Sequence, residues 1–208
     1  MKKTSMNIPN ILSIIRCLLV PIFVATLLFM GDAGFWSYGV PAAVYGITAL
    51  TDMLDGKIAR KYNLVTDFGK FIDPLADKFM VISSMITILV WKMLRGERLF
   101  ALIFVWVVLI ILLRELGVTS LRLVVAGKSG IVVAASMLGK IKTVSQMVGT
   151  VVMILEPALP MIIKLDVVEF ICGNNILSYI AMAIMAFTTL FSGIDYLKAY
   201  MPYIDTNS

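Results

Sequence analysis

A chain of 208 residues that is 60% hydrophobic and only 15% charged, with a mean hydropathy of +0.96, lies outside the composition of an ordinary water-soluble domain. It contains no histidine, which excludes a Ser-His-Asp triad, a histidine zinc site and a histidine general base, and leaves acid–base chemistry to carboxylates, Lys, Tyr or Cys. The net charge of +5 suits anionic headgroups and phosphate-bearing substrates at a membrane rather than nucleic acid.

Charges are clumped along the chain. The stretch from Ile8 to Met30 is interrupted only by Arg16, and residues 33–51, 79–91, 99–113, 143–155 and 170–194 carry none. About 20 apolar residues cross a ~30 Å hydrocarbon core as a helix, so each stretch reads as a membrane span. None shows the alternation of a barrel strand, and the expectation is an all-α polytopic membrane protein, a six-transmembrane-helix bundle forming one domain over residues 1–208. Lys2 and Lys3 precede the first span, but Arg16 within it and the lack of a small-residue cleavage site argue against a cleavable signal peptide. Cys17 and Cys172 sit in apolar segments as small hydrophobes.

The turns fall between spans. Gly31-Asp32-Ala33-Gly34 closes the first hairpin, Leu94-Arg95-Gly96-Glu97-Arg98 the second, and Gly127-Lys128-Ser129-Gly130 breaks the chain further on. Pro157 and Pro160 mark the end of the fifth span. Trp36, Tyr38, Trp91, Tyr179 and Tyr196 near span ends read as an interfacial aromatic belt. With both termini cytoplasmic, only Lys92, Arg95, Arg98 and Lys164 of the 18 basic residues lie outside, the bias expected of a cell (inner) membrane protein.

One region carries the chemistry. Asp52, Asp55, Asp67, Asp73 and Asp77 crowd a single cytoplasmic turn and its flanking helices. At about 100° per residue, Asp52, Asp55, Gly56 and Ala59 share one helix face with Arg60 beside it, and Gly69, Asp73 and Asp77 form a stripe at spacing four on the next. A carboxylate within a span costs ~2.5–3.5 kcal/mol, so a cluster needs cations, and oxygen ligands select Mg²⁺ or Mn²⁺ over zinc. The competing reading is a solvated loop whose carboxylates pair with Lys57, Arg60, Lys61, Lys70 and Lys78; the repeated facial alignment of Asp and Gly argues against it.

The pattern Asp52-x2-Asp55-Gly56-x2-Ala59-Arg60-x8-Gly69-x3-Asp73-x3-Asp77 resembles the full signature of the CDP-alcohol phosphotransferase family, with no change in spacing. The resemblance implies six membrane helices, a cytoplasm-facing active-site cavity, a homodimer and two divalent cations held by Asp52, Asp55, Asp73 and Asp77. It further implies a CDP-lipid lying over Gly56, Ala59 and Gly69 with Arg60 toward a phosphate, and Asp77 as general base.

The second half bears on the acceptor. Arg114-Glu115 interrupts an apolar helix, Arg122 follows about 80° round it, and Lys140 and Lys142 open the fifth span on the side of the aspartates. Arginine forks and lysine ammonium groups suit phosphate oxygens, although Lys140 and Lys142 also fit ordinary positive-inside flanking. A pocket of this kind calls for an acceptor with its own phosphate, which glycerol 3-phosphate has and serine, choline and ethanolamine lack. The segments Asn7–Leu12 with Arg16, Val65–Lys70, Asp73–Lys78, Leu138–Thr143 and Ser192–Tyr196 are similar to the phosphatidylglycerophosphate-forming branch of the family. That resemblance implies transfer of the phosphatidyl group of CDP-diacylglycerol to glycerol 3-phosphate, giving phosphatidylglycerol phosphate and CMP. A cardiolipin synthase using phosphatidylglycerol is the alternative within the family. A non-enzymatic divalent-cation carrier would spread its acids through the membrane depth or repeat them in inverted halves, and neither pattern is present.

Overall fold

Backbone amides that cannot reach water must find partners inside the chain, and here they do so in helices. The computed structural model describes residues 8–31, 33–62, 67–129 and 137–203, with the side chains of 8, 9, 52–62, 67, 70, 128 and 129 outside the description. Its helices are α1 (Ile8–Phe29), α2 (Trp36–Tyr62), α3 (Asp67–Leu94), α4 (Arg98–Ser129), α5 (Met137–Leu155), α6 (Leu159–Ile162), α7 (Asp166–Gly173) and α8 (Ile176–Tyr200). Among the described residues there is no strand.

Among the described residues, five stretches are long and apolar enough to cross a membrane: Asn10–Phe29, Phe71–Leu94, Arg98–Gly127, Met137–Ile162 and Ile176–Tyr203. The outward faces agree with that solvent. Leu102, Trp106, Leu109, Leu113 and Leu116 lie exposed along α4, and Ile180, Ile184, Phe187 and Phe191 along α8. A soluble protein does not present continuous apolar ridges of this size, whereas hydrocarbon tails accept them. The chain is a multi-pass membrane protein.

Packing divides the bundle into two halves. α1 lies against both α2 and α3, α8 against α4 and α5, and the halves are joined by α2 touching α5 and α3 touching α4 and α5. The core runs through Phe23, Tyr45, Met80, Met85, Ile88, Phe104, Ile111, Met153, Ile154 and Met185, all at most 2% exposed. Small residues set the closest approach. A Cβ added to Gly149 on α5 would meet Met185 Sδ of α8 at 2.5 Å, so a larger residue here would force the Met185 side chain to move.

At one end the turns close as their glycines suggest. Gly31 and Gly34 adopt φ of 65° and 59°, and the Ser37 hydroxyl donates to Gly31 O while accepting from Ala33 N–H, each at 2.7 Å. Gly96 turns α3 into α4 at φ 82°. Here Lys92 is fully buried, donating to both Glu97 oxygens at 2.8 and 3.0 Å and to Asn175 Oδ1. Buried Glu156 accepts the N–H groups of Leu177 and Ser178 at 2.8 and 2.9 Å, satisfying donors exposed at the start of α8.

The structure corrects several sequence expectations. The charge-free run 170–194 is not one helix: α7 stops at Gly173, and Asn175 at φ 53° redirects the chain into α8. α4 continues through Gly127 to Ser129, so the chain does not break at Gly127-Lys128-Ser129 as expected, and Gly130 lies outside the described residues. Of the supposed aromatic belt, Tyr38, Trp91 and Tyr196 are buried in contacts within the bundle, while Trp36 stays exposed. Cys172 is buried, its thiol pushed up by burial and by the Glu156 carboxylate, which leaves it an unreactive small hydrophobe.

Candidate active site

The end of the bundle away from these turns gathers polar groups from every long helix whose side chains are described there. α2 carries Asp52, Asp55, Gly56, Ala59 and Arg60 on its last turns, and these side chains lie outside the described ones. α3 begins with Asp67 and carries buried Gly69, then half-buried Asp73 and Asp77 at successive spacings of four. Spacing four returns close to the same face, so the stripe predicted for α3 is present. Pro74 lies between the two aspartates and cannot return the usual helical bond to residue 70.

α1 supplies a polar stripe that sequence reasoning missed. Asn10, Ser13 and Arg16, three residues apart, are each buried, and the Ser13 hydroxyl donates to Asp73 Oδ1. Spacing three within an apolar helix was the available signal, because three buried polar side chains on one face need a polar neighbour. α1 packs on both α2 and α3, so it holds the two aspartate-bearing helices in register.

Asp77 lines a small cavity with Lys78, Glu115, Lys142, Thr143 and Gln146. The cavity measures about 10 Å³, room for a single water, and α3, α4 and α5 each contribute to its wall. Lys142 and Glu115 form a buried ion pair across it. Lys78 donates to the Thr119 hydroxyl of α4. Glu115, Lys78, Thr119 and Gln146 were not assigned from sequence, since single polar residues on separate helices gain meaning only when packing brings them together.

The predicted basic residues divide. Arg114 is half-buried: Nη2 donates to Ser192 Oγ at 2.6 Å, Nη1 to Glu115 Oε1 at 3.3 Å, and the guanidinium lies 5.2 Å from the Tyr196 ring. Gly193 makes this possible, as a Cβ there would meet Arg114 Cγ at 3.3 Å. Ser192-Gly193 and Tyr196 on α8 therefore form the seat of Arg114. Arg122 is exposed and lies 5.9 Å from the same Tyr196 ring, which stacks on fully buried Tyr200. Lys142 faces the cavity, whereas Lys140, two residues earlier, is exposed and lines no part of it.

Hydrogen-bonding capacity remains at this end. Among the described residues, Arg114 Nε and Gln146 Oε1 are buried without a hydrogen-bond partner, and Lys142 gives one of its three ammonium protons to Glu115. Buried groups left in this state call for a ligand or water. The donor set on α3 is oxygen-only, with Asp73 already oriented by a hydroxyl, which is the chemistry that hard divalent cations take.

Helices that cross a membrane and converge carboxylates and cations on a small buried cavity at one end define an integral-membrane protein with an intramembrane polar site, the setting of chemistry on lipids. Residues 6–193 match the CDP-alcohol phosphatidyltransferase family. A CDP-diacylglycerol–glycerol-3-phosphate 3-phosphatidyltransferase of Bacillus subtilis (strain 168) is 36% identical over 97% of this chain and 99% of its own. The protein of that name from Rickettsia typhi is 36% identical over 95% of this chain and 98% of its own. A probable phosphatidylglycerophosphate synthase of Mycobacterium tuberculosis is 32% identical over 92% of this chain and 80% of its own. The chain belongs to the CDP-alcohol phosphatidyltransferase family.

Proposed function

We propose that this protein transfers the phosphatidyl group of CDP-diacylglycerol to glycerol 3-phosphate, yielding phosphatidylglycerol phosphate and CMP. The observation that carries the reading is the cavity in which Asp77 faces Lys142 and Glu115, with Arg114 attached to the same carboxylate. A carboxylate beside cations is what an acceptor bearing both a hydroxyl and a phosphate requires. The names of the Bacillus and Rickettsia relatives, similar over nearly their whole length, point to the same acceptor.

In this reading the primary hydroxyl oxygen of glycerol 3-phosphate attacks the lipid-linked phosphorus, the bond from that phosphorus to the CMP oxygen breaks, and Asp77 takes the hydroxyl proton. No histidine competes for that role. Asp52, Asp55, Asp73 and Asp77 would hold two divalent cations, Mg²⁺ or Mn²⁺, which when bound supply positive charge to the diphosphate and the leaving group. Ser13 orients Asp73 through its hydroxyl. By the family signature, Gly56, Ala59 and Gly69 would make room for cytidine and ribose against the helix backbones, and Arg60 would serve a phosphate. Arg114 and Lys142 bind the acceptor phosphate, with Arg122 and Lys140 attracting it from the exposed rim.

An apolar groove of about 430 Å³ between α4 and α8, lined by Trp106, Leu109, Leu113, Gly193 and Ile194, reaches Arg114 and suits an acyl chain entering from the bilayer. α2, 27 residues long and packed on α1, serves as a sixth span, which puts the aspartate end on the cytoplasmic side with both termini. The whole chain acts as one domain of a cell membrane enzyme.

The test is purified protein in mixed micelles with labelled CDP-diacylglycerol, Mg²⁺ or Mn²⁺ and a panel of acceptors. CMP release should depend on glycerol 3-phosphate. Equal release with phosphatidylglycerol, serine or no acceptor would overturn the assignment of the acceptor.

A further inference from the structure

A second cavity, of about 290 Å³, lies at the other end of the bundle, where α1 ends, α2 begins and α3 ends. Trp91 on its wall follows Asp77 by 14 residues on α3, about 21 Å along the axis at 1.5 Å per residue, so no small ligand spans both sites. Its chemistry is divided. Leu27, Leu28, Met30 and Leu94 supply aliphatic walls, and Arg95 is the charged residue on the lining.

The Arg95 guanidinium is held in place. Nη2 donates to Tyr38 Oη at 2.9 Å, and the group sits 5.4 Å from the Tyr38 ring and 5.0 Å from the Trp91 ring, both rings being buried. A guanidinium has five N–H donors, so this one keeps a fork for an oxyanion after serving Tyr38. Among the described residues it makes no ion pair, and the neighbouring Glu97 carboxylate is bonded to Lys92 and Asn175 instead. Its depth is set by the helices: the apolar spans Asn10–Phe29 and Phe71–Leu94 end at this level, where the phosphates of a bilayer lie. A free phosphate ion would leave the aliphatic walls unused, and a zwitterionic headgroup would bring its own cation.

We propose that this cavity binds an anionic phospholipid from the leaflet opposite the aspartates, its phosphate on Arg95 and the upper part of an acyl chain against Leu27, Leu28 and Leu94. The assignment is independent of the reaction.

The chain has three tryptophans, so Trp36→Phe with Trp106→Phe leaves Trp91 as the sole reporter. This variant is reconstituted into phosphatidylcholine bilayers containing equal fractions of brominated phosphatidylglycerol or brominated phosphatidylcholine. Trp91 should be quenched more by the anionic lipid, to an extent matching roughly fivefold local enrichment for one basic residue at the surface. Arg95→Gln should erase the difference and Arg95→Lys retain part of it, which separates lost charge from lost folding. Millimolar inorganic phosphate should leave the preference intact. Equal quenching by the two lipids, an unchanged preference in Arg95→Gln, or its abolition by inorganic phosphate would each overturn the proposal.

Discussion

Replacing Glu115 should destabilise the bundle more than replacing Lys142, although the two form one ion pair. Their side chains are 12% and 6% exposed, so neither charge is screened by bulk water. Glu115 Oε1 also accepts from Arg114 Nη1 at 3.3 Å. In Lys142→Met the carboxylate keeps Arg114 as counter-ion, and the loss is that of one charged hydrogen bond, about 1.5–3 kcal/mol. Glu115→Met takes from Arg114 and Lys142 the carboxylate they share and leaves Lys142 only Asp77 across the cavity, so the cost approaches the ~3–5 kcal/mol of a broken buried pair. In the double variant Arg114 still has Ser192 and Tyr196, so the combined loss should fall short of the sum by at least about 1 kcal/mol. Unfolding of the purified proteins in one mixed-micelle condition measures all four corners of the cycle. Additive losses, or a Lys142→Met variant less stable than Glu115→Met, would refute the view that Glu115 serves two cations.

Gly149→Ala places a methyl 2.5 Å from Met185 Sδ and should cost about 1–3 kcal/mol of stability; in a Met185→Ala background the same substitution should cost less, and an unchanged cost would remove the close-contact explanation. Asp52→Asn and Asp73→Asn should abolish transfer while leaving the melting temperature within a few degrees of wild type, and a chelator should silence the parent until Mg²⁺ or Mn²⁺ is added back; near-normal turnover in either variant at ordinary metal concentration would count against the carboxylate site. Arg114→Ala should raise the KM for glycerol 3-phosphate by roughly 10- to 150-fold with little change in CDP-diacylglycerol binding, and Arg114→Lys should rescue it only in part. Unchanged acceptor saturation would detach Arg114 from the acceptor.

What sequence made legible was whatever depends on spacing along one helix. Gly69, Asp73 and Asp77 fall on one stripe by their spacing alone, because a helix fixes the angle between residues four apart. Spans were legible from charge-free runs, but their ends were not. Run 170–194 conceals the bend at Asn175, although Gly173-Asn174-Asn175 is ordinary turn chemistry, since a polar uncharged turn does not interrupt a count of charges. Contacts between helices were least legible. Ser13 beneath Asp73, Lys78 on Thr119 and Glu115 against Lys142 each join residues at least 27 positions apart, and no period in the sequence relates them. The segment 192–196 is obscure in sequence for a similar reason: its role rests on Arg114, which belongs to another helix.

The two ends of the bundle use the same residue types for different purposes, and hydrogen-bond accounting separates them. Lys92 and Lys142 are both buried lysines paired with a glutamate on α4 or the turn leading to it. Lys92 meets two carboxylate oxygens and one amide oxygen, one acceptor for each ammonium proton, between two aromatic rings at 4.8 and 5.3 Å. A network satisfied in this way rigidifies the turn and has nothing further to offer a ligand. Lys142 spends one proton on a glutamate that also serves Arg114, and the same region holds Arg114 Nε and Gln146 Oε1 without protein partners. Leaving such groups unsatisfied costs about 1–3 kcal/mol each unless a ligand or water completes them. Among the described residues, groups left without protein partners, more than the presence of charge, separate the Lys142 end from the satisfied network around Lys92.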